Sequence, residues 1–290
     1  MASSPNIYVA DVGMVTRFWS RLRAAFQATY EDGCFGIAKG AAYSSLLAFF
    51  PVITTVATVL VQANADAVAR TTARLLYDVI PPGTEDVVRA LFTVKGRRPT
   101  TLLVGAVVLS VWASSGVMMS LMEGFRAVYR IPSGRSFVKE RAVAMWLVLV
   151  AAIPLLGASA LIVIGNRARR SFVSWLGVTR GDDLGGWVAL GGQLFSFAIA
   201  LIAIVIVMAL VYYVGPNRKQ VLRRVFPGAL LATVLWLLST LAVGWYFRDI
   251  ANYNLLYGGV GAGLVLLIWS YVLCVITLFG CAFNAVGERS

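Results

Sequence analysis

The stretch "ALIAIVIVMALVYYV", residues 200–214, is apolar along its whole length. A strand of a membrane barrel would alternate apolar and polar residues over about 10 residues per crossing. A helix needs about 20 predominantly apolar residues to cross the hydrocarbon core. Residues 184–217 supply such a window without a charge. The stretch therefore predicts a membrane-spanning helix and argues against a barrel.

Similar windows lie on both sides of this stretch. The chain of 290 residues is 59% hydrophobic and 13% charged, whereas soluble domains are about 25% charged. Backbone groups in lipid must pair within their own segment, so each window indicates a helix. We predict an all-α polytopic membrane protein with six transmembrane helices, over residues 41–62, 100–121, 142–164, 188–214, 226–247 and 258–284.

The N-terminal segment, residues 1–40, has a different pattern. Apolar residues recur there at helical spacing, at Val15, Phe18, Trp19, Leu22, Phe26 and Tyr30. Arg17 and Arg21 lie on the opposite side of that helix. We expect an amphipathic helix in the membrane interface, because arginine and tryptophan suit lipid headgroups. The alternative is a helix packed on the cytoplasmic end of the protein. Residues 41–287 then form the transmembrane domain.

Basic residues in the connections indicate the orientation. The connections 126–141 and 218–224 are dense in lysine and arginine, whereas 248–257 holds only Arg248. Cytoplasmic loops carry the excess of such residues, so both termini are expected in the cytoplasm. The net charge of +12 favours anionic lipid headgroups as partners. Nucleic acid is not expected as a partner, because its recognition would need a basic patch on a soluble domain.

Residues suited to catalysis or metal binding are scarce. The chain has no histidine and three cysteines, none of them in a CxxC pair. We therefore expect no zinc site and no histidine-based triad, and neither an enzyme activity nor a cofactor. The cysteines are expected to be buried thiols. The apolar windows hold no charge, which disfavours a proton-coupled pump with a carboxylate in the middle of the membrane.

Small and polar residues form stripes on three of the spans. At 100° per residue, each stripe occupies one side of its helix: Ser44, Pro51, Thr55 and Thr58; Gly116, Ser120 and Glu123, with Gly105 and Trp112; and Gly259, Gly263, Ser270, Thr277 and Asn284. Small residues let membrane helices approach closely, and hydroxyls bond across them. Helix packing therefore accounts for the stripes. A pathway lined by the stripes accounts for them as well, and the proline in the first span favours this second explanation.

Two details of the stripes carry predictions of their own. Gly259 and Gly263 form a GxxxG pair, which is typical of close contact between helices. Glu123 is within helical reach of Arg126 and Arg130, which predicts an ion pair.

Four stretches carry a resemblance to a known family: "AAYSSLLAFFPVI" (41–53), "VWASSGVMMSLMEGFRAVYRI" (111–131), "FPGALLATVLWLL" (226–238) and "YGGVGAGLVLLIWSYVLCVITLFGCAFNA" (257–285). In order and spacing they resemble the YihY/virulence-factor BrkB family, formerly labelled ribonuclease BN-like. The resemblance implies a bacterial inner-membrane protein with six helices and cytoplasmic termini. Members are linked to serum resistance, and some are suspected of moving lipids or other envelope components.

The resemblance extends to single positions. It maps the family's tyrosine, proline and tryptophan onto Tyr43, Pro51 and Trp269, and its Tyr-Gly pair onto Tyr257 and Gly258. Where many members have a glutamate near the end, this chain has Ala282. That difference counts against an ion-coupled mechanism shared with the family.

The sequence thus favours a transporter or flippase-like protein for lipidic or anionic envelope molecules. The alternative is an envelope scaffold or assembly partner that transports nothing. This alternative would have a second copy of the chain or another envelope protein as its partner. A membrane ribonuclease is not expected, because the chain lacks histidine and a cluster of carboxylates for a metal.

Overall fold

A computed structural model describes residues 7–62, 100–132, 134–153, 183–246 and 253–289. Every regular element within these ranges is a helix. The helices are α1 (Ile7–Glu31), α2 (Cys34–Gln62), α3 (Thr100–Tyr129), α4 (137–153), α5 (Asp183–Val214), α6 (Leu222–Trp245) and α7 (Tyr253–Arg289). The predicted all-α membrane fold is confirmed.

Five of the described helices are long and apolar enough to cross a membrane: Cys34–Val56, Leu103–Tyr129, Phe197–Val214, Leu222–Trp245 and Gly263–Arg289. The predicted span 142–164 is helical as far as residue 153, and its remainder lies outside the described residues. α3 continues past the predicted span 100–121 to Tyr129. An apolar window locates the part of a helix that lies in lipid, but the helix itself extends further into the polar end.

The helices pack around α7, which contacts α1, α2, α3 and α6. The most extensive contact in the described structure joins α2 to α3. Phe125 of α3 meets Tyr212 of α5 edge to face, with ring centroids 5.5 Å apart, and both side chains are fully buried. The two rings belong to a buried core to which α1, α2, α6 and α7 also contribute.

One end of the bundle is rich in arginine, and we call it the basic end. Here α3 and α7 finish, α4 begins, and a turn joins α5 to α6. Its ion pairs are Arg126–Glu140, Arg218–Glu288 and, at 3.5 Å, Arg130–Asp32. The pairs join parts of the chain that are far apart in sequence, so arginines predicted to set the orientation also support the packing at this end.

α1 lies at the same end and packs on the protein, which is the alternative that the sequence left open. It packs against α7 through buried Ala25 and Thr29, and the rings of Phe18 and Phe283 are 5.8 Å apart. Its other face exposes aromatic side chains, Trp19, Phe26 and Tyr30. Exposed aromatic residues beside arginines suit the membrane interface. The helix therefore packs on the protein with one face and exposes aromatic side chains on the other.

Candidate functional site

The stripes of α2 and α3 face each other. A Cβ added to Gly116 would lie 3.6 Å from the Ser44 Oγ, and one added to Gly40 would lie 4.0 Å from the Ser120 Oγ. Further along the helices, the hydroxyls of Thr55 and Ser110 are 2.6 Å apart, within hydrogen-bond distance. The two predicted stripes therefore form one seam.

The outer side of this seam is open. Ser44, Gly116 and Ser120 are half-buried, whereas Glu123 and Gly105 are exposed. Trp112 is 57% exposed. We call Gly105, Trp112, Gly116, Ser120 and Glu123 the α3 strip. Gly116 and Ser120 line the seam, and the other three residues are exposed.

Two other stripe residues of α2 differ in burial. Pro51 is half-buried. Thr58 is buried, and its hydroxyl donates to the Thr54 carbonyl over 2.7 Å. Among the polar stripe residues whose burial the structure describes, the exposed one is therefore Glu123 of α3.

The ion pair predicted for Glu123 is not formed among the described residues. Arg126 pairs with Glu140 of α4, and Arg130 pairs with Asp32. Arg130 follows the last residue of α3 with a φ of 54°, so it leaves the helical phase that the prediction assumed. Arg126 turns inward, where burial strengthens its attraction to Glu140, and Glu123 remains on the exposed side.

The stripe of α7 has the opposite character. Ser270, Thr277 and Asn284 are buried. Thr277 donates from its hydroxyl to the Leu273 carbonyl over 2.8 Å, and its own carbonyl accepts from the Tyr212 hydroxyl over 2.7 Å. This part of the stripe is occupied by helix packing, as the packing explanation requires.

Asn284 joins α7 to the proline-containing part of α6. Its amide oxygen accepts from the Gly228 N–H over 2.7 Å, and its amide nitrogen donates to the Val225 carbonyl over 2.9 Å. Pro227 has no N–H and cannot make the regular helical bond at this point. The side chain of one helix therefore satisfies backbone groups of another beside the proline.

The predicted GxxxG contact is not where the helices come closest. A Cβ added to Gly263 would meet no atom within 4 Å, and the surroundings of Gly259 lie outside the described side chains. A Cβ on Gly280 would lie 2.5 Å from the Tyr212 hydroxyl oxygen and 2.7 Å from the Gly228 carbonyl oxygen. The close approach therefore joins Gly228 to Gly280, a pair on two helices that no motif within one helix reveals.

Sequence reasoning missed Arg141, which lies in the first turns of α4. Its guanidinium lies over the Trp112 ring, 4.1 Å from the centroid. It donates to the Trp112 carbonyl over 3.1 Å and to the Met119 Sδ over 3.2 Å. Its position directly before an apolar window was the available signal, since a long arginine side chain extends along apolar surface. The sequence did not show which helix lies beside it.

The contacts of Arg141 place a cation near the middle of a span. Leu103–Tyr129 is a span of 27 residues, and Trp112 and Met119 are its tenth and seventeenth. The window 142–164 is free of charge, as expected, yet the neighbouring arginine reaches a central part of α3. The charge that the apolar window lacks is therefore present beside the candidate span α3.

Neighbouring arginines are satisfied differently. Arg135 donates to the Val214 carbonyl over 3.0 Å and to the Gly215 carbonyl over 3.4 Å. Burial, and then the neighbouring Arg126 charge, lower the pKa of Arg135.

The three cysteines, Cys34, Cys274 and Cys281, are buried free thiols, as expected. No group of three His, Cys, Asp or Glu side chains suited to a metal occurs among the described residues.

Comparisons with known proteins give a consistent picture. The family model for the virulence factor BrkB matches residues 25–290. The ribonuclease-like protein YfkH of Bacillus subtilis is 28% identical over 185 residues, covering 64% of this chain and 65% of that protein. A UPF0761 membrane protein of Chromobacterium violaceum is 24% identical over 245 residues, covering 84% of this chain and 56% of that protein.

A second UPF0761 membrane protein, from Alkalilimnicola ehrlichii, is 28% identical over 257 residues, covering 88% of this chain and 55% of that protein. The chain therefore spans less than two thirds of the length of these three relatives. No solved structure matches the chain.

Proposed function

Since this chain belongs to the virulence factor BrkB family, we propose that it is a flippase-like transporter for lipidic or anionic molecules of the bacterial envelope. The proposal places it in the inner membrane with both termini in the cytoplasm. Its partners are membrane lipids with anionic headgroups, and neither nucleic acid nor a catalytic step is part of the proposal.

The exposure of the α3 strip carries the proposal. Polar groups that face lipid are costly, and those found within spans usually mark a pathway or a water-filled cavity. The strip carries an exposed carboxylate, Glu123, and the half-buried hydroxyl of Ser120. The polar residues of the α7 stripe are buried, namely Ser270, Thr277 and Asn284. Helix packing explains the buried part of the α7 stripe and the contacts of Gly116 and Ser120 with α2. It leaves the exposure of Trp112 and Glu123 unexplained.

The length of the strip supports a path across the membrane. Gly105 and Glu123 are eighteen residues apart on one helix, which at 1.5 Å per residue is about 27 Å. The hydrocarbon core is about 30 Å thick. A polar headgroup that follows the strip would cross most of the membrane while its acyl chains remain in the surrounding lipid.

The closed packing around Asn284 and Thr277 favours a second function, an envelope scaffold or assembly partner without a transported substrate. Under this alternative the seam serves only to hold α2 against α3. A protein partner, either another envelope protein or a second copy of the chain, would then cover the α3 strip. The two functions differ in whether blocking the strip alters lipid movement.

Lipid movement can be measured with the full chain in vesicles that contain fluorescent phosphatidylglycerol or phosphatidylcholine. Dithionite bleaches only the outer leaflet, so the slow phase reports transbilayer movement, with and without an imposed potassium potential. We expect the wild-type chain to accelerate this phase for phosphatidylglycerol. No acceleration of either lipid under either condition would overturn the proposal.

Two glycines offer a matched pair of variants for this assay. A Cβ at Gly105, on the strip, or at Gly244, on α6 away from it, meets no atom within 4 Å. Gly105→Leu is expected to slow lipid movement by about fivefold or more, and Gly244→Leu to leave it within about twofold. Equal effects of the two variants would favour the scaffold.

A further inference from the structure

Arg141 differs from Arg126 and Arg130 of the same region in its partners. Arg126 and Arg130 are each paired with a carboxylate. Arg141 contacts an aromatic ring, a backbone carbonyl and a sulfur. Its Nε is buried without a hydrogen-bond partner, and no carboxylate of the described residues pairs with it. This cation is therefore held in place, but no carboxylate in the described ranges neutralises it.

The depth of Arg141 makes a missing anion significant. Ionisable groups within membrane spans normally pair with an opposite charge or with backbone carbonyls, because an unpaired charge there is costly. The Met119 sulfur is a weak acceptor, and one carbonyl does not balance a full charge. An anion supplied from outside the described chain would complete the pairing.

The surroundings of Trp112 indicate what else the anion carries. Trp112 is on the α3 strip and largely exposed, and its neighbours Val108 and Leu109 are exposed as well. The surface next to the guanidinium is therefore apolar and exposed. A ligand that fits both parts combines an anionic group with hydrocarbon.

We propose that Arg141 and Trp112 bind the phosphate group of an anionic lipid on the α3 strip. The planar guanidinium matches the geometry of phosphate oxygens and can offer two parallel N–H donors. Trp112 holds the guanidinium by a cation–π contact and presents its exposed ring to the lipid chains. This inference rests on the proposed function and adds the class of substrate: a phospholipid with net negative charge.

Lipid selection by the full chain can be read directly by native mass spectrometry. The purified protein is mixed with equal amounts of phosphatidylglycerol and phosphatidylcholine, and the ratio of bound lipids is measured. We expect the wild-type protein to prefer phosphatidylglycerol by about fivefold or more, and Arg141→Gln to reduce this preference to within about twofold. Arg141→Lys is expected to keep part of the preference, since it keeps the charge but loses the planar donors.

Arg224→Gln is the matched control, because Arg224 is an exposed arginine near the start of α6. It should leave the preference unchanged. If Arg141→Gln retains the preference, or if Arg224→Gln loses it equally, the inference is wrong. A millimolar excess of glycerol phosphate should not displace the lipid. Displacement would assign the site to a free phosphate compound instead.

A second measurement covers the case in which Arg141→Gln does not fold. Brominated phosphatidylglycerol should quench wild-type tryptophan fluorescence more than brominated phosphatidylcholine does, and Trp112→Phe should abolish that difference. An unchanged difference would contradict a site at Trp112.

Failure here is distinguishable from failure of transport. If the lipid preference does not depend on Arg141 while Gly105→Leu still blocks lipid movement, the proposed function stands without this site. If the preference depends on Arg141 but the wild-type chain moves no lipid, the site stands without the transport.

Discussion

Asn284 and Gly280 show how single residues hold the α6–α7 contact. Gly280 lets the two backbones approach, and Asn284 uses both ends of its amide on backbone groups beside Pro227. Each residue is effective only because the other helix brings a glycine, Gly228, to the same place. The sequence identified Asn284 as part of a stripe, but the partner that explains it is 56 residues away.

Asn284→Ala is expected to destabilise the protein. It leaves a buried N–H of Gly228 without its side-chain acceptor and removes a second hydrogen bond to Val225. The free energy of unfolding should fall by about 1 to 3 kcal/mol, measured by denaturant titration in detergent. The control is Ser120→Ala, at a half-buried position of the α3 strip, and it should have little effect on stability. Equal stability of the two variants would show that the amide bonds do not support the fold.

Gly280 and Gly263 form a matched pair for helix approach. Gly280→Ala places a methyl group against the Tyr212 hydroxyl and the Gly228 carbonyl, and such overpacking costs about 1 to 3 kcal/mol. Gly263→Ala enters open space and should be neutral or stabilise the helix by up to about 1 kcal/mol. Melting temperatures of the two variants test this. A loss at Gly263 and none at Gly280 would restore the GxxxG contact that the sequence predicted.

At the scale of helices, one of the contacts that join α3 to α4 is an ion pair at the basic end. Arg126 and Glu140 have side chains that are 19% and 11% exposed. Their burial makes the pair sensitive to the loss of either member, because the remaining charge stays desolvated.

Charge reversal tests this ion pair. Glu140→Arg alone should lower the free energy of unfolding by roughly 2 to 4 kcal/mol. The double variant Arg126→Glu with Glu140→Arg should recover at least half of the loss. Glu31→Gln, at an exposed position of α1, serves as a neutral control. Additive losses in the double variant would show that the two residues do not interact.

The exposed face of α1 predicts a position relative to the membrane. Tyr30 is 73% exposed on the aromatic face, and Arg17 is exposed on the other side of the helix. A spin label at Tyr30→Cys should collide more with oxygen than with a water-soluble nickel complex, because oxygen concentrates in lipid. A label at Arg17→Cys should show the reverse. Equal accessibility at both positions would mean that α1 lies away from the interface.

At the scale of the whole molecule, the sequence predicted the composition of the fold better than its contacts. Charge-free apolar windows report lipid exposure helix by helix, and the five described spans follow them. Stripes of small residues report only that a helix side is small and polar. Whether that side is buried, as at Thr277, or exposed, as at Glu123, depends on how the helices are arranged.

Arg141 illustrates the same limit for the candidate site. Its charge lies outside the apolar window in sequence, but the packing of α4 against α3 brings it to Trp112. No pattern within either helix encodes that encounter. The candidate site therefore consists of the α3 stripe, which the sequence predicted, and Arg141, to which sequence reasoning gave no role.

The central claim is that the α3 strip holds an anionic lipid at Arg141. Cryo-electron microscopy of the full chain in phosphatidylglycerol nanodiscs, with a rigid binding protein for alignment, tests it most directly. The account predicts acyl-chain density along the strip, with a headgroup phosphate within about 4 Å of the Arg141 guanidinium. Headgroup density confined to the two membrane surfaces, or a strip covered by another protein or a second copy of the chain, would contradict it.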